Sequence, residues 1–308
     1  MSNKVLIAIV GPTAIGKTSL GIFLANHFET EIISADSRQF FKEMEIGTAA
    51  PSAEELNQVP HHFIQHKSIQ DSYSVGDFEK EALDKLDELF QNQNIVILVG
   101  GSGLYVDAVI QGLDQFPKIK PGLRDALNLK LKEHGLVSLQ EDLKKYDPEY
   151  HKIVDLENPH RLIRALEVSI TANRPYSSFL NQKKEPRPFQ HLYVGLHAPR
   201  EVIYERINLR VDQMMEAGLL EEVKRLYPQR NLNALQTVGY RELFDYMDAK
   251  YTLDFAISEI KKNTRRFAKR QLTWLRKNPE ILWVDHDAKQ EDILKLIMER
   301  LKSMEHAT

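Results

Sequence analysis

Apolar and polar positions follow two kinds of pattern in the first hundred residues. Continuous apolar runs at 5–10 and 95–99, and a shorter one at 30–36, predict buried strands. Apolar residues at helical spacing predict helices at 19–28 and 76–93. Apolar strands that alternate with helices are typical of a parallel sheet covered on both faces. We therefore expect an α/β fold.

The pattern changes near residue 116. Pro-rich, basic stretches at 116–121 and 183–188 enclose a segment with three predicted helices, at 122–134, 138–145 and 159–172. The later predicted elements are a strand at 190–196, helices at 199–227, 239–249 and 252–277, a strand at 281–285 and a helix at 290–304. We predict a core formed by 1–117 and 188–308, with an all-helical insertion domain at 118–187.

A glycine-rich octapeptide joins the first predicted strand to the first predicted helix. Its residues are Gly11, Pro12, Thr13, Ala14, Ile15, Gly16, Lys17 and Thr18. The spacing G-x-x-x-x-G-K-T in this context is that of a phosphate-binding P-loop rather than a plain Gly/Pro turn. Backbone N–H groups, the helix N-terminus and Lys17 would hold linked phosphates, and the Thr18 hydroxyl would ligate Mg²⁺. The core is thus predicted to be P-loop NTPase-like.

Other polar groups follow the predicted strands. Phosphoryl-transfer enzymes with this loop hold Mg²⁺ with an Asp at a later strand end, but here the third strand runs into Gly100 and Gly101. Asp36 ends the second strand, where it would assist a metal, act as a general base or cap a turn. Ser102 would contact ligand or form a tight turn. Because ligands bind beyond the carboxyl ends of parallel strands, we expect these groups to share one cleft.

Two later helices carry candidate phosphate contacts. The segment 258–277 has eight Lys and Arg residues against one acid, Glu259. This imbalance, with Arg161 and Arg164 as a second basic cluster, favours an RNA surface over a solvated helix face. Arg206 and Arg210 lie four apart and share a face, which indicates phosphate contact or a surface salt-bridge face.

Composition and net charge limit the cellular environment and the kinds of binding site that we expect. The net charge is −3, so RNA binding would need a local basic patch. The absence of cysteine excludes disulfides and thiolate chemistry and fits a reducing compartment. No apolar run is long enough for a membrane span. We expect a cytoplasmic, monomeric protein. His61, His62 and His66 lack a supporting ligand pattern, so we do not predict a metal site there.

Six groups of residues resemble, in order, the signatures of the bacterial tRNA dimethylallyltransferase (tRNA isopentenyltransferase) family. They are 11–18, 36–39 with 44–49, 100–105, 158–168, 238–241 and 264–274. The resemblance implies transfer of a dimethylallyl group from dimethylallyl diphosphate to N6 of the adenosine 3′ of the tRNA anticodon. The P-loop would hold the leaving diphosphate with Mg²⁺, and the insertion would grip the anticodon stem-loop. No phosphoryl group moves, which suits the missing strand-end Asp.

The resemblance also implies residue roles. Asp36 would be the general base, and Lys17 and Arg210 would stabilise the leaving group. The residues implied in tRNA binding are Asp36, Ser37, Arg38, Gln39, Ser102, Arg124, His160, Arg161, Arg164, Gln236, Gly239, Tyr240, Arg241, Lys269, Arg270, Gln271, Trp274 and Arg276. The chain departs from the family at Ser102, where Thr is usual, and at Ala50, where Lys is common.

Three other functions stay open on the residues alone. A P-loop small-molecule kinase or NTPase would need a convincing metal-binding Asp. A prenyltransferase for free adenine nucleotides would need neither the basic helix nor the insertion. A non-enzymatic RNA-binding protein switched by nucleotide would bind tRNA without turnover, and its function would survive loss of Asp36.

Overall fold

The protein, described by a computed structural model over residues 4–305, is built on one parallel sheet. The strands are β1 (Val5–Val10), β2 (Ile32–Ser34), β3 (His61–His62), β4 (Ile95–Gly100), β5 (Gln190–His197) and β6 (Leu282–Asp285). Their order is β3-β2-β4-β1-β5-β6, and every neighbouring pair is parallel. The α/β prediction is confirmed.

Helices follow the strands and form the insertion. They are α1 (Lys17–His27), α2 (Ala53–Gln58), α3 (Val75–Leu89), α4 (Gly103–Gln111), α5 (Leu123–Tyr146), α6 (Pro148–Ile153), α7 (Pro159–Ala172), α8 (Arg200–Glu216), α9 (Leu219–Leu226), α10 (Tyr240–Met247), α11 (Leu253–Leu275) and α12 (Gln290–Glu305). None of those between residues 4 and 305 combines the length and apolarity of a membrane span.

Strand β1 is the centre of the sheet and explains the continuous apolar run. It pairs with β4 on one side and β5 on the other, and all six of its residues are buried. Leu6 and Ala8 pack in one hydrophobic cluster, while Ile7 and Ile9 pack in another across the sheet. Because β1 is central and parallel to its neighbours, the loop after Val10 lies at the middle of the sheet's carboxyl edge.

The chain forms two compact units. One contains the sheet and extends up to Gln111 and from Arg187 onward; the other is Gly112–Pro186. The predicted insertion, 118–187, begins six residues later than this unit (118 − 112). The unit packs α5 and α7 around a core that includes Leu139, Leu143, Leu162 and Leu166.

The structure differs locally from two sequence predictions. The helix predicted at 199–227 is divided into α8 and α9, because Gly218 adopts φ 98° and so cannot continue a helix. His61–His62, predicted as loop, forms β3 at the sheet edge. By contrast, the break predicted between helices 122–134 and 138–145 is confirmed, because α5 contains non-helical Gly135 (φ 74°), which separates its two helical parts.

Candidate active site

The P-loop lies where β1 meets α1. A Cβ atom at Gly11 would lie 2.9 Å from the carbonyl oxygen of Leu196, so only glycine fits beside β5. Ala14 and Gly16 both have positive φ, 65° and 111°, which curl the loop before the first helical residue, Lys17. The local sequence thus produces the anion-binding loop and helix N-terminus that its spacing predicts.

Lys17 lies inside this loop. Its Nζ donates to the carbonyl oxygen of Pro12 at 2.9 Å. Burial lowers the pKa of Lys17 to about 8; the Asp36 carboxylate opposes this shift, and the Arg210 guanidinium adds to it. The three charged groups therefore interact electrostatically, and a bound anion would change the net charge around them.

Two arginines of α8 reach the same loop. The Arg206 Nε donates to the Ala14 carbonyl oxygen at 2.7 Å, and an Arg210 terminal nitrogen lies 3.5 Å from the Thr13 hydroxyl. The pKa of Arg210 is lowered by burial first and by the neighbouring Arg206 second. This placement favours phosphate contact over a surface salt-bridge face, the two alternatives left by their spacing.

Asp36 follows β2 at the carboxyl edge. One of its oxygens, Oδ1, accepts the Arg38 backbone N–H at 3.1 Å, so the carboxylate does cap a turn as well as line the cleft. The next residue, Ser37, contacts the turn after β4, where its hydroxyl lies 3.2 Å from that of Ser102. The predicted convergence of these two strand ends is confirmed.

A cavity of about 310 Å³ opens beside these groups. Its polar and backbone lining comprises Thr13, Asp36, Arg38, Gly47, Thr48, Ala49, Arg210, Gln236, Thr237, Gly239, Arg241, Thr264 and Arg270. Its apolar lining comprises Ile207, Val211, Met214, Val238, Ile260 and Phe267, of which the first three lie on α8 at helical spacing. A small apolar chain attached to phosphates fits such a lining.

Comparison with known proteins identifies the family. The family model described as "IPP transferase" matches residues 39–278. A protein of Christiangramia forsetii named tRNA dimethylallyltransferase is 60% identical over 98% of this chain and 100% of its own length. One of Flavobacterium johnsoniae with the same name is 58% identical over 97% and 99%. The chain belongs to the tRNA dimethylallyltransferase family.

Solved structures agree with this assignment. The tRNA isopentenylpyrophosphate transferase of Bacillus halodurans is 38% identical, with a TM-score of 0.73 over 98% of this chain and 99% of that one. A eukaryotic dimethylallyltransferase acting on tRNA is 27% identical, with a TM-score of 0.79 over 92% and 74%. The P-loop-like fold is therefore that of the dimethylallyltransferases.

Gln271, implied in tRNA binding, has a different use in this family member. It is buried on α11, where its Oε1 accepts the Thr13 backbone N–H at 2.9 Å and its Nε2 donates to the Gly101 carbonyl oxygen at 2.8 Å. The side chain thus ties the P-loop to the turn after β4. The implied tRNA contact of its amide stays a prediction beside this positioning of the loop.

Tyr240 is also among the residues implied in tRNA binding. Its side chain is fully buried, and its hydroxyl donates to Glu222 Oε1 at 2.7 Å. The tyrosine therefore cannot reach RNA in this structure. Glu222 itself was missed by sequence reasoning, because a glutamate on a short amphipathic helix resembles a solvent-exposed residue and its partners lie far away in the sequence.

The basic helix α11 has two parts with different surroundings. In its first half Lys261 lies 2.6 Å from Asp212, Lys262 pairs with Glu259, and Arg265 donates to Asn208 at 2.7 Å. Beyond these, the exposed side chains at its C-terminal end include Lys269, Arg270, Trp274 and Arg276. The RNA surface stays a prediction, and these exposed residues are its candidates on this helix.

Trp274 is held in place at that end. Its indole Nε1–H donates to Asp107 Oδ2 at 2.9 Å, while 44% of the residue stays exposed. It borders a second cavity, of about 450 Å³, with Lys277. An exposed aromatic beside cations is a common platform for RNA bases, so the implied role in tRNA binding stays a prediction.

Four of the residues that the family resemblance implies in tRNA binding lie in the unit Gly112–Pro186. Arg124 donates from Nε and a terminal nitrogen to both oxygens of buried Glu167, at 2.7 and 2.6 Å, which raises its pKa. Arg164 lies 3.9 Å from the same carboxylate and 4.9 Å over the Phe116 ring. His160 and Arg161 are exposed on the first turn of α7. Glu167 therefore orients two of the four.

Across residues 4–305 no three His, Asp or Glu side chains are grouped to hold a metal. His62 Nε2 lies 2.5 Å from a Glu31 carboxylate oxygen, and His61 Nδ1 lies 2.8 Å from the Val59 carbonyl. Burial, with Lys67 second, lowers the pKa of His66 to about 4.

Proposed function

We propose that this cleft transfers a dimethylallyl group from dimethylallyl diphosphate to N6 of the adenosine 3′ of the tRNA anticodon. The observation that carries the proposal is the common cavity, in which Asp36, the P-loop residue Thr13 and an apolar wall of α8 face the same space. N6 attacks C1 of the donor, the C1–O bond breaks, and diphosphate leaves with the bonding electrons. Asp36 takes the N6 proton.

The donor's diphosphate belongs at the P-loop. Lys17, Arg206 and Arg210 gather there, and the N-terminus of α1 adds its dipole. These groups match the negative charge that develops on the leaving diphosphate, so their effect is greatest in the transition state. The apolar stripe of Ile207 and Val211 would then receive the five-carbon chain.

The residues present fit Mg²⁺ held mainly by the donor. Mg²⁺ prefers oxygen ligands and commonly binds through substrate phosphates, with few protein groups and several waters. Thr18, on the first turn of α1 and half-buried, offers one hydroxyl. When bound, the ion would neutralise diphosphate charge.

Asp36 is placed to act as the general base. Its Oδ1 is engaged by the Arg38 N–H, so we assign Oδ2 to the N6 proton. Arg38 and Arg241 line the same cavity, where they would position the RNA. To reach this carboxylate the target adenosine must be flipped out of the anticodon loop.

A product assay tests the proposed function. The protein is incubated with Mg²⁺, dimethylallyl diphosphate and either an unmodified tRNA with adenosine 3′ of its anticodon or free AMP, and products are identified by mass spectrometry. We expect dimethylallyl-adenosine in tRNA only. Product on AMP would indicate a nucleotide prenyltransferase, and tRNA binding without any product would indicate a non-enzymatic RNA-binding protein.

Donor affinity is expected to depend on pH through Lys17. With a pKa of about 8 in the free protein, Lys17 loses its charge as pH rises through that value. Anionic diphosphate prefers the cationic form and raises this pKa on binding, so affinity should be flat below pH 8 and fall by up to about tenfold per pH unit above it. Calorimetric titration between pH 7 and 9.5 checks this, and a flat profile would contradict it.

The exposed end of α11 should set the salt dependence of tRNA binding. Replacing both Lys269 and Arg276 with glutamine should lower the slope of log K against log salt by roughly 1.4, since each phosphate contact with a single strand contributes about 0.7. Fluorescence anisotropy from 50 to 300 mM salt measures the slope. The paired residues Lys261 and Lys262, changed likewise, serve as the control, and equal slopes in the two double variants would contradict the assignment.

A further inference from the structure

The buried carboxylate of Glu222 joins two distant parts of the cleft. Only 1% of the residue is exposed. Its Oε2 accepts the backbone N–H groups of Glu45 and Ile46 at 3.1 and 2.8 Å, and its Oε1 accepts that of Gly47 at 3.0 Å. Its Oε1 also accepts the Tyr240 hydroxyl at 2.7 Å. Such a fully engaged buried charge fixes backbone geometry strongly.

Two of the residues that Glu222 binds, Gly47 and Tyr240, belong to the cavity wall or adjoin it. Gly47 is followed by Thr48 and Ala49, and all three line the cavity. Tyr240 is preceded by Gly239, which also lines it. Glu222 therefore binds one wall segment directly, at Gly47, and is one residue away from the other, at Gly239.

The two wall segments face each other closely. A Cβ atom at Gly47 would lie 2.6 Å from the Tyr240 ring, and one at Gly239, where φ is 97°, would lie 4.0 Å from the Gly47 carbonyl oxygen. Gly47 therefore has no room for a side chain, and the positive φ of Gly239 disfavours one there. The two wall segments thus pack closely against each other.

Each wall has its own additional support. Gln39 Nε2 donates to the Ala49 carbonyl oxygen at 2.9 Å. Glu242 accepts the Gly239 N–H at 2.9 Å and the Asn263 side-chain amide at 2.7 Å. Each of these contacts secures one wall, whereas Glu222 connects the two.

We propose that Glu222 is a positioning residue for the acceptor: through Tyr240 and three backbone N–H groups it holds the two wall segments, 47–49 and Gly239, in the arrangement that places the target adenosine beside Asp36. The inference rests on the proposed function. The donor's diphosphate would bind at the P-loop, whose side-chain hydrogen bonds run to Gln271, Arg206 and Arg210. Disturbing the two wall segments should thus affect the acceptor step and spare donor binding.

Kinetics of Glu222→Gln and Tyr240→Phe test the inference. The glutamine keeps the volume but turns an amide N–H₂ toward backbone donors. Because a misplacement of about 1 Å costs on the order of 10²-fold, we expect kcat to fall by about 30- to 100-fold in Glu222→Gln, with donor KM and tRNA Kd within about twofold of the parent. Tyr240→Phe keeps the ring against Gly47 and should lose about three- to tenfold in kcat.

Glu43→Gln is the matched control. Glu43 also accepts a loop N–H, that of Ile69 at 3.0 Å, but it does not line the cavity. We expect its kinetics to match the parent's. Parent-like kcat in Glu222→Gln, or a loss shared by donor KM and tRNA Kd in both variants, would overturn the inference. A parent protein without tRNA product would instead overturn the proposed function.

Discussion

Replacing Asp36 with asparagine is expected to lower kcat by about 10³-fold, within the range of about 10²–10⁴ that general bases contribute. The amide keeps the size of the carboxylate, and its remaining oxygen can still accept the Arg38 N–H seen at 3.1 Å. It cannot take a proton from N6. Single-turnover measurement with saturating tRNA and donor isolates the chemical step.

Measuring tRNA affinity alongside kcat makes this prediction specific. The tRNA Kd of Asp36→Asn should stay within about threefold of the parent, because a general base acts on the reaction and adds little to ground-state affinity. Asp84→Asn, at an exposed site on α3, controls for the loss of one carboxylate. Equal losses in kcat and tRNA affinity would contradict the general-base role.

Replacing Lys17 with methionine is expected to weaken donor binding by about 100-fold, or roughly 3 kcal/mol, the upper range for a hydrogen bond to a charged group. Methionine keeps the linear side chain but cannot donate to the Pro12 carbonyl or to a diphosphate oxygen. The pH dependence of donor affinity near pH 8 should also disappear, because Lys17 is the group assigned to it.

Calorimetric titration with dimethylallyl diphosphate measures both effects. Lys85→Met removes a cation from the surface of α3, where Lys85 pairs with Glu88, and serves as the control. We expect the control to bind the donor as the parent does. Unchanged affinity in Lys17→Met would contradict the assignment of the P-loop to the diphosphate.

The site's diphosphate half was predictable because its determinants are local. The spacing of Gly11, Gly16 and Lys17 fixes the loop by itself, and the topology of parallel strands brings Asp36 and Ser102 to the same edge. Each of these inferences needs a short stretch of sequence and one general rule.

The positioning residues were not predictable because their partners are remote. Glu222 binds Gly47, which is 175 positions away, and Gln271 binds Thr13, 258 positions away. On its own helix each has the polarity of a surface residue, and only the tertiary fold shows that it is buried. Resemblance implies a direct role with RNA for Gln271 and Tyr240, while in the structure both side chains are buried and bind other parts of the protein.

We assign the P-loop to carbon transfer rather than phosphoryl transfer. The phosphorus products of one reaction with Mg²⁺, unmodified tRNA and dimethylallyl diphosphate distinguish the two. Ion chromatography and mass spectrometry should find one diphosphate for each dimethylallyl-adenosine formed, with no orthophosphate. Orthophosphate release, or ATP consumption without modified tRNA, would show that the P-loop serves phosphoryl chemistry and would contradict the account.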